Sequence, residues 1–193
     1  SAEVEKRIAK EENAYLTFIN TDNEVIISGD KKVCQAIAKE LACPVIEIPF
    51  QNVIHQDFCK KEEIGLLDMH NFATTAQGDI DFYSSISQSS IKVESLEIAQ
   101  NSVAVCAQQV DFPKTVATVY EAGARIFIEL GANATCTNWI AQNLKGKPHL
   151  AVSINQKGKT DTQSLLSLLA QLVSHGVELD LSILFPEAEQ GNQ

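Results

Sequence analysis

The sequence has 193 residues, of which 45% are hydrophobic and 21% charged, a balance that suits one compact domain or two small lobes. A formal net charge of −10 argues against a nucleic-acid-binding surface, because phosphate backbones repel an acidic protein. No apolar run approaches the roughly 20 residues that a membrane-spanning helix needs, and no signal-peptide pattern opens the chain. Five scattered cysteines without C-x-x-C spacing indicate a reduced, cytoplasmic protein.

The first quarter of the chain predicts a small α+β lobe. Two β-rich runs, 14–20 and 24–28, are separated by a Thr-Asp-Asn turn and predict a hairpin. Asp30 can cap a helix that reaches Ala42, because apolar residues then recur every fourth position. The run "PVIEIPF" (44–50) predicts a further strand. The order ββαβ indicates helices on one side of a sheet.

The middle of the chain is less regular. Residues 59–73 favour a helix, and residues 74–80 are typical of a loop. Residues 81–87 predict a strand, and a second helix is expected over 95–107.

From residue 113 onward, helices and strands alternate as in an α/β protein. Proline in the first turn and glycine after the last turn delimit the first helix, and a Thr-x-x-Gln capping box opens the last one. The nearly continuous apolar run "ARIFIEL" predicts a parallel strand covered on both faces. In chain order the predictions are a helix at 113–122, a strand at 124–130, a helix at 133–144, a strand at 149–155 and a helix at 160–175.

His55 is the strongest single candidate for chemistry. It follows a strand-like run and lies among polar neighbours, a common position for an acid–base group. The other histidines lack such a setting, and His175 precedes a helix-ending glycine, where a cation complements the helix dipole. A metal site formed by His55 and Cys59 is disfavoured, because zinc needs about four ligands and no second pair follows.

A nucleophile for such a base is harder to find in this sequence. Cys106 and Cys136 lie in helical contexts where a small core residue is the ordinary interpretation, although a cysteine nucleophile served by histidine stays possible in principle. The glycine-rich loops that bind nucleotides are absent from the sequence. The serine elbow G-x-S-x-G is also absent, since no two glycines lie four positions apart.

Three stretches together resemble one family, the malonyl-CoA-type acyltransferase domains of fatty acid and polyketide synthases. Asn20, Ser28 and Gly29 match its N-G-P…V-x-S-G motif, and His55 falls at the histidine of its F-H-S motif, the catalytic base. The stretch at 109–133 is similar to a later motif of the family, P-V-x-F…F-V-E-V-G-P. The resemblance covers about residues 12–185, and its stretches are "INTDNEVIISGD" (19–30), "IEIPFQNVIHQDF" (46–58) and "QVDFPKTVATVYEAGARIFIELGAN" (109–133).

The resemblance implies a fold and a domain organisation. Its fold is α/β, with a ferredoxin-like α+β lobe inserted in, and followed by, the C-terminal part of an α/β-hydrolase-like acyltransferase core. Residues 13–75 would form the lobe, and residues 76–185 the returning core with the segment that follows it. The segment "VYEAGARIFIELG" most resembles the acyltransferase subunit of bacterial omega-3 polyunsaturated fatty acid synthases.

Several positions depart from the family pattern. Ile54 and Gln56 flank the histidine where the family has an aromatic residue and a serine, Ala132 replaces a proline, and Gln109 replaces another. The family often orients its histidine with an Asn or Gln. The aligned position here is nearer Val105, which leaves Gln108 or Asn101 as substitutes.

The resemblance implies an acyltransferase that moves an acyl group from CoA to an acyl carrier protein through a serine ester, with His55 as base. The serine would belong to a missing N-terminal half, so this chain alone is expected to be inactive. No covalently bound cofactor and no metal are expected; acyl-CoA and the carrier's phosphopantetheine arm are the substrates, and other synthase subunits are partners. The alternatives are a catalytically degenerate docking module and a cysteine-dependent transferase.

Overall fold

The computed structural model describes residues 2–49, 53–75 and 78–185. The chain divides into two compact units: unit 1 comprises residues 1–124 with 142–145, and unit 2 comprises residues 125–141 with 146–193. The predicted lobe boundary between residues 75 and 76 falls inside unit 1 and stays a prediction. Across the described ranges, no helix is both long and apolar enough to cross a membrane.

After a short first helix, unit 1 contains the predicted hairpin and helix. Asp30 accepts hydrogen bonds from the backbone N–H groups of Lys32 and Val33, which satisfies two donors at the helix start. The core of this part contains Ile8, Leu16 and Ile37, each under 9% exposed. The hairpin and the capped helix are therefore confirmed, and the elements are α1 (Ala2–Ile8), β1 (Ala14–Thr21), β2 (Glu24–Gly29) and α2 (Lys31–Glu40).

The rest of unit 1 brings a distant strand back to the hairpin. A short strand, β5 (Val110–Asp111), pairs in parallel with β1 through Phe18 and Ile19, so the sheet order is β2-β1-β5. A 3-10 helix (Asp57–Glu62) immediately precedes the helix α3 (Glu63–His70). The predicted helices at 59–73, 95–107 and 113–122 are confirmed in outline, and the elements are α3 (Glu63–His70), β3 (Phe82–Tyr83), β4 (Ser90–Ile91), α4 (Ser95–Ala107), β5 (Val110–Asp111) and α5 (Phe112–Glu121).

Of the predicted strands of unit 1, one is wrong and another is shorter than predicted. Residues 44–49 form no strand, because no sheet edge among the described residues pairs with them; Ile46 is 91% exposed. Residue 50 lies outside the described residues. The predicted strand at 81–87 is reduced to the two-residue β3, since a tight turn follows in which Ser84 Oγ accepts from two backbone N–H groups. The ferredoxin-like arrangement of the lobe stays a prediction.

Unit 2 consists of two parallel strands with helices after each. The last long helix opens with the predicted capping box, in which Thr160 and Gln163 satisfy each other's backbone N–H groups. Its buried residues Leu168 and Leu172 pack on Leu150 and Val152 of the second strand. The predicted order of elements is confirmed as β6 (Ile126–Glu129), α6 (Thr135–Asn143), β7 (Leu150–Ser153) and α7 (Asp161–Ser174), followed by a 3-10 helix (Ser182–Leu184).

The first strand of unit 2 is less covered than its sequence predicts. Ile128 is 45% exposed and the following Leu130 is 79% exposed. Complete cover on both faces is therefore wrong for this strand: Ile126 packs against the cluster formed by β7 and α7, whereas Ile128 stays exposed. Glu129, on the opposite face from Ile128, is engaged: its carboxylate accepts from the backbone N–H groups of Cys136 and Thr137 at the start of α6.

Candidate active site

His55, in unit 1, has an unusual backbone conformation. Its φ is +62°, in the left-handed region, where a residue with a β-carbon is uncommon. Only 8% of the residue is exposed. A left-handed histidine costs free energy on the order of 1 to 3 kcal/mol and persists only where surrounding contacts fix it. The contacts made by His55 therefore define the candidate site.

The C-terminus of α4 holds both the backbone and the ring of His55. The His55 N–H donates to the carbonyl of Cys106 at 2.7 Å, and ring atom Nδ1 bonds the carbonyl of Val105. The last carbonyls of a helix have no partner inside it, so they are available acceptors.

This hydrogen bond determines where the ring can react. A backbone carbonyl only accepts hydrogen bonds, so Nδ1 of the neutral imidazole must carry the proton. The lone pair of the neutral ring is then on Nε2, the atom that can accept a proton from a nucleophile. The geometry is that of a histidine oriented through one nitrogen and available through the other, which is the arrangement a general base needs.

Phe18 packs against the imidazole from β1. The two ring centroids are 4.4 Å apart and the rings are nearly perpendicular, at 77°. Such edge-to-face contacts contribute about 0.5–1.5 kcal/mol beyond the area that they bury. Together with α4, Phe18 restricts the ring to one orientation. The sequence carries no distinctive signal for this contact, because Phe18 has the ordinary apolar pattern of a strand residue.

The predicted substitutes for an orienting amide do not serve His55. Asn101 donates to the carbonyl of Glu97 in its own helix, and Gln108 is exposed. The position that aligns with the family's orienting residue, Val105, performs this role through its backbone carbonyl. No side-chain motif could have indicated this, since every residue type has the same carbonyl.

The residues that match the N-G-P…S-G motif shape the hairpin beside the site. Ser28 Oγ lies 3.3 Å from Thr17 Oγ1 across the two strands, and Gly29 has a φ of +136°. Asn20 is buried, and its side-chain nitrogen donates to the Glu24 carboxylate at 3.1 Å. The Asn20 side-chain oxygen is also buried, and it has no hydrogen-bond partner in the part of the chain that the structure describes.

The surroundings of Cys59 and Cys136 do not indicate a metal or nucleophile site. Cys59 directs its thiol to the carbonyl of Val53, at 3.8 Å. Burial raises the pKa of the Cys136 thiol, and the charge of Glu129 raises it further, so this thiol lacks the activation of a nucleophile. Within residues 2–49, 53–75 and 78–185, no three His, Cys, Asp or Glu side chains gather as metal ligands do.

The remaining histidines are held by carbonyls close in sequence. His70 bonds the carbonyl of Leu66 through Nδ1 at 2.7 Å, and His149 bonds that of Lys147 at 2.8 Å. His175 bonds the carbonyl of Gln171 at the end of α7, where the sequence predicted a dipole-complementing residue. His55 differs because its ring partner lies 50 residues away.

The fold is that of acyltransferase domains. The acyltransferase domain from the second module of the salinomycin polyketide synthase has a TM-score of 0.80 at 19% identity, over 100% of this chain and 46% of that chain. The malonyl-CoA:ACP transacylase of Synechocystis sp. PCC 6803 has a TM-score of 0.67 at 16% identity, over 86% of this chain and 55% of that chain. The chain therefore spans about half the length of these solved structures.

The chain is also similar in sequence to part of a fatty acid synthase. A polyunsaturated fatty acid synthase polypeptide of Thraustochytrium sp. (strain ATCC 26185 / S-3) is 25% identical over 178 residues, which are 84% of this chain and 8% of that protein. The chain spans less than a tenth of this relative. No family model matches the chain.

Proposed function

We propose that this chain supplies the general base of an acyltransferase that moves an acyl group from CoA to an acyl carrier protein. His55 is the base, and the nucleophilic serine lies outside these 193 residues. The observation that carries the proposal is the orientation of the imidazole, which is anchored through Nδ1 to α4 and leaves Nε2 for proton transfer. The acyltransferase fold supports this role.

The reaction has two steps that use the same nitrogen. In the first, the serine Oγ attacks the thioester carbon, its proton passes to His55 Nε2, and CoA leaves as the thiol after taking that proton. In the second, Nε2 accepts the proton of the phosphopantetheine thiol, whose sulfur attacks the serine ester. The serine oxygen then leaves and regains the proton. The acyl group ends on the carrier protein, and no net proton is gained or lost by His55.

The class of synthase is inferred from the sequence. We propose that the parent enzyme is a polyunsaturated fatty acid synthase, of the bacterial omega-3 type that the sequence resembles, with the carrier protein and other synthase subunits as partners. Similarity to the Thraustochytrium synthase supports this class. The name of the Synechocystis transacylase supports carrier protein as acceptor.

The test replaces His55 by alanine in the protein that carries both the nucleophilic serine and this chain. We expect transfer of the acyl group to carrier protein to fall by about 10²- to 10⁴-fold, the usual loss when a general base is removed. The readout is mass spectrometry of the acyl-carrier product, with the serine ester followed in the same samples. His70→Ala is the matched control, because His70 makes the same Nδ1–carbonyl bond inside its own helix, and it should retain full activity.

A second candidate is a catalytically degenerate docking module. Gln56 favours it, because it stands where the family has serine and directs its amide to the carbonyl of Leu16. An unchanged transfer rate in the His55→Ala protein would support this candidate and overturn the proposed base.

A further inference from the structure

Three parts of unit 1 orient the imidazole of His55, and they must be fixed to one another if the ring is to keep one position. Phe18 packs on the ring from β1, the carbonyl of Val105 in α4 bonds Nδ1, and the backbone of His55 is itself left-handed. The ladder that joins these parts is short, since β5 has two residues and pairs with Phe18 and Ile19. Any further bond between β1 and the segments around the ring therefore bears on the candidate base.

The carbonyl of Leu16 accepts two such bonds. The pairing of β1 with β2 shifts register between Leu16 and Phe18, and the pairing with β5 begins at Phe18. A register shift disrupts the backbone ladder locally. At this point the side chains take part: Gln109 Nε2 donates to the Leu16 carbonyl at 2.9 Å, and Gln56 Nε2 donates to it at 3.3 Å. One acceptor on β1 thus bonds the residue after His55 and the second residue after α4.

Neither donor belongs to the family pattern, which has a serine in place of Gln56 and a proline in place of Gln109. Serine has a much shorter side chain than glutamine, and proline has no side-chain donor. The two replacements are 53 positions apart in the sequence, yet both place a long amide on the same carbonyl. Unrelated losses of family residues would not be expected to converge on one atom, so the convergence indicates a role for the pair.

We propose that Gln56 and Gln109 are positioning residues for His55. Gln56 holds the segment that carries the imidazole, and Gln109 holds the end of α4 that carries the acceptor of Nδ1. The shared carbonyl fixes both to the strand that carries Phe18. The inference rests on the proposed function, in which His55 is the general base. Under it, the two departures from the family pattern preserve the base, whereas a degenerate docking module would not need them.

The first test replaces each glutamine by methionine, which has a similar length and no N–H donor. The assayed protein carries both the nucleophilic serine and this chain. We expect kcat for transfer to carrier protein to fall about tenfold in each variant and about 10²-fold in the double variant, because small displacements of a catalytic group have effects of this size. The KM for carrier protein should stay within about twofold, since neither glutamine is proposed to bind it. Gln108→Met, at the exposed neighbour of Gln109, is the matched control and should retain full activity.

Conservative variants at position 109 separate the hydrogen bond from the packing of the side chain. Gln109→Lys keeps a long side chain with an N–H donor and should retain most of the activity. Gln109→Glu has the shape of glutamine but cannot donate in its ionised form, so its kcat should fall at least as far as that of Gln109→Met.

The third readout is the imidazole itself, which does not depend on catalysis. Nitrogen-15 NMR should show one neutral tautomer of His55 in the parent protein. In the double methionine variant the signals of the two ring nitrogens should move toward each other, because a ring that is no longer held in one orientation exchanges between tautomers. Each single variant keeps one donor on the Leu16 carbonyl, so the single variants decide the question if the double variant does not fold.

The outcomes separate this proposal from the proposed function. A lower kcat at unchanged KM, retained activity in Gln109→Lys and converging ring signals support the positioning role. Unchanged kcat in the methionine variants, a rise in KM alone, an equal loss in Gln109→Lys, or unchanged ring signals overturn it. His55→Ala tests the proposed function separately, since full transfer by that variant contradicts the general base even where the glutamines orient the ring.

Discussion

Gln56 and Gln109 donate their side-chain amides to the same acceptor, the backbone carbonyl of Leu16, at 3.3 and 2.9 Å. The first follows His55 directly, and the second follows α4, the helix that holds the imidazole. Both stand at positions where the acyltransferase family has other residues, a serine and a proline. The two glutamines that differ from the family pattern thus share one acceptor atom on β1. Through it, the segment that follows His55 and the segment that follows α4 are bonded to the same strand.

This shared acceptor predicts that the two glutamines are energetically coupled. Gln56→Ala and Gln109→Ala should each lower the free energy of unfolding by about 0.5–1 kcal/mol, a modest loss because both side chains are partly solvated. The double variant should lose more than the sum, since only then does the Leu16 carbonyl lose both donors. Urea unfolding measures all three values. Gln108→Ala, at the exposed neighbour, should change stability little, and strictly additive losses would contradict the coupling.

The bond to Val105 predicts the tautomer of His55. In the neutral ring Nδ1 should carry the proton and Nε2 should not, because a carbonyl cannot donate. Nitrogen-15 NMR of the imidazole distinguishes the two tautomers, and the His55→Ala spectrum assigns the signal. A neutral ring protonated on Nε2 would contradict the geometry of the site and with it the proposed base.

Two glycines should respond to alanine in opposite directions. Gly29 has a φ of +136°, and a β-carbon there would lie 2.1 Å from the carbonyl oxygen of Asn13, so Gly29→Ala should cost at least about 2 kcal/mol of stability. Gly65 lies inside α3 with open space around it, so Gly65→Ala should stabilise by about 0.5–1 kcal/mol. Thermal unfolding of the two variants tests both signs, and a tolerated alanine at position 29 would refute the close approach.

Cysteine alkylation should follow exposure and the raised thiol pKa values. Burial, and then the charge of Asp30, raises the pKa of Cys34, and burial with Glu129 raises that of Cys136. Both thiols therefore deprotonate at a higher pH than an ordinary thiol, and iodoacetamide at about pH 8 should modify exposed Cys43 before either. Glu129→Gln should quicken alkylation of Cys136 and leave Cys34 unchanged. A hyper-reactive Cys136 in mass spectrometry would instead favour a cysteine-dependent transferase.

Local chemistry explains what the sequence predicted well. The capping box of Thr160 and Gln163 needs only residues three apart, and the cap at Asp30 needs only the next turn of chain. Such signals are complete within a few residues, so they can be recognised without knowing the rest of the fold. The alternation of helices and strands after residue 113 was predicted for the same reason.

Non-local relations account for the errors and omissions. The run at 44–50 has the pattern of a strand, but a strand forms only where an edge can pair with it, and residues 44–49 have none among the described residues. The exposure of Ile128 could not be predicted from the sequence, because an apolar run does not show how far along the strand the packed helix reaches. At the candidate site, His55 could be proposed from its position in the sequence, whereas its hydrogen-bond partner is a backbone carbonyl that no residue type signals.

The double attachment of His55 to α4 has a mechanical consequence. Its backbone N–H bonds the carbonyl of Cys106, and its ring bonds the carbonyl of Val105. Because both acceptors belong to the same helical turn, the imidazole should move together with α4. An axial shift or rotation of α4 would carry Nε2 along by a comparable distance. If His55 is the base, its alignment with a nucleophile is therefore determined by the position of the whole helix α4.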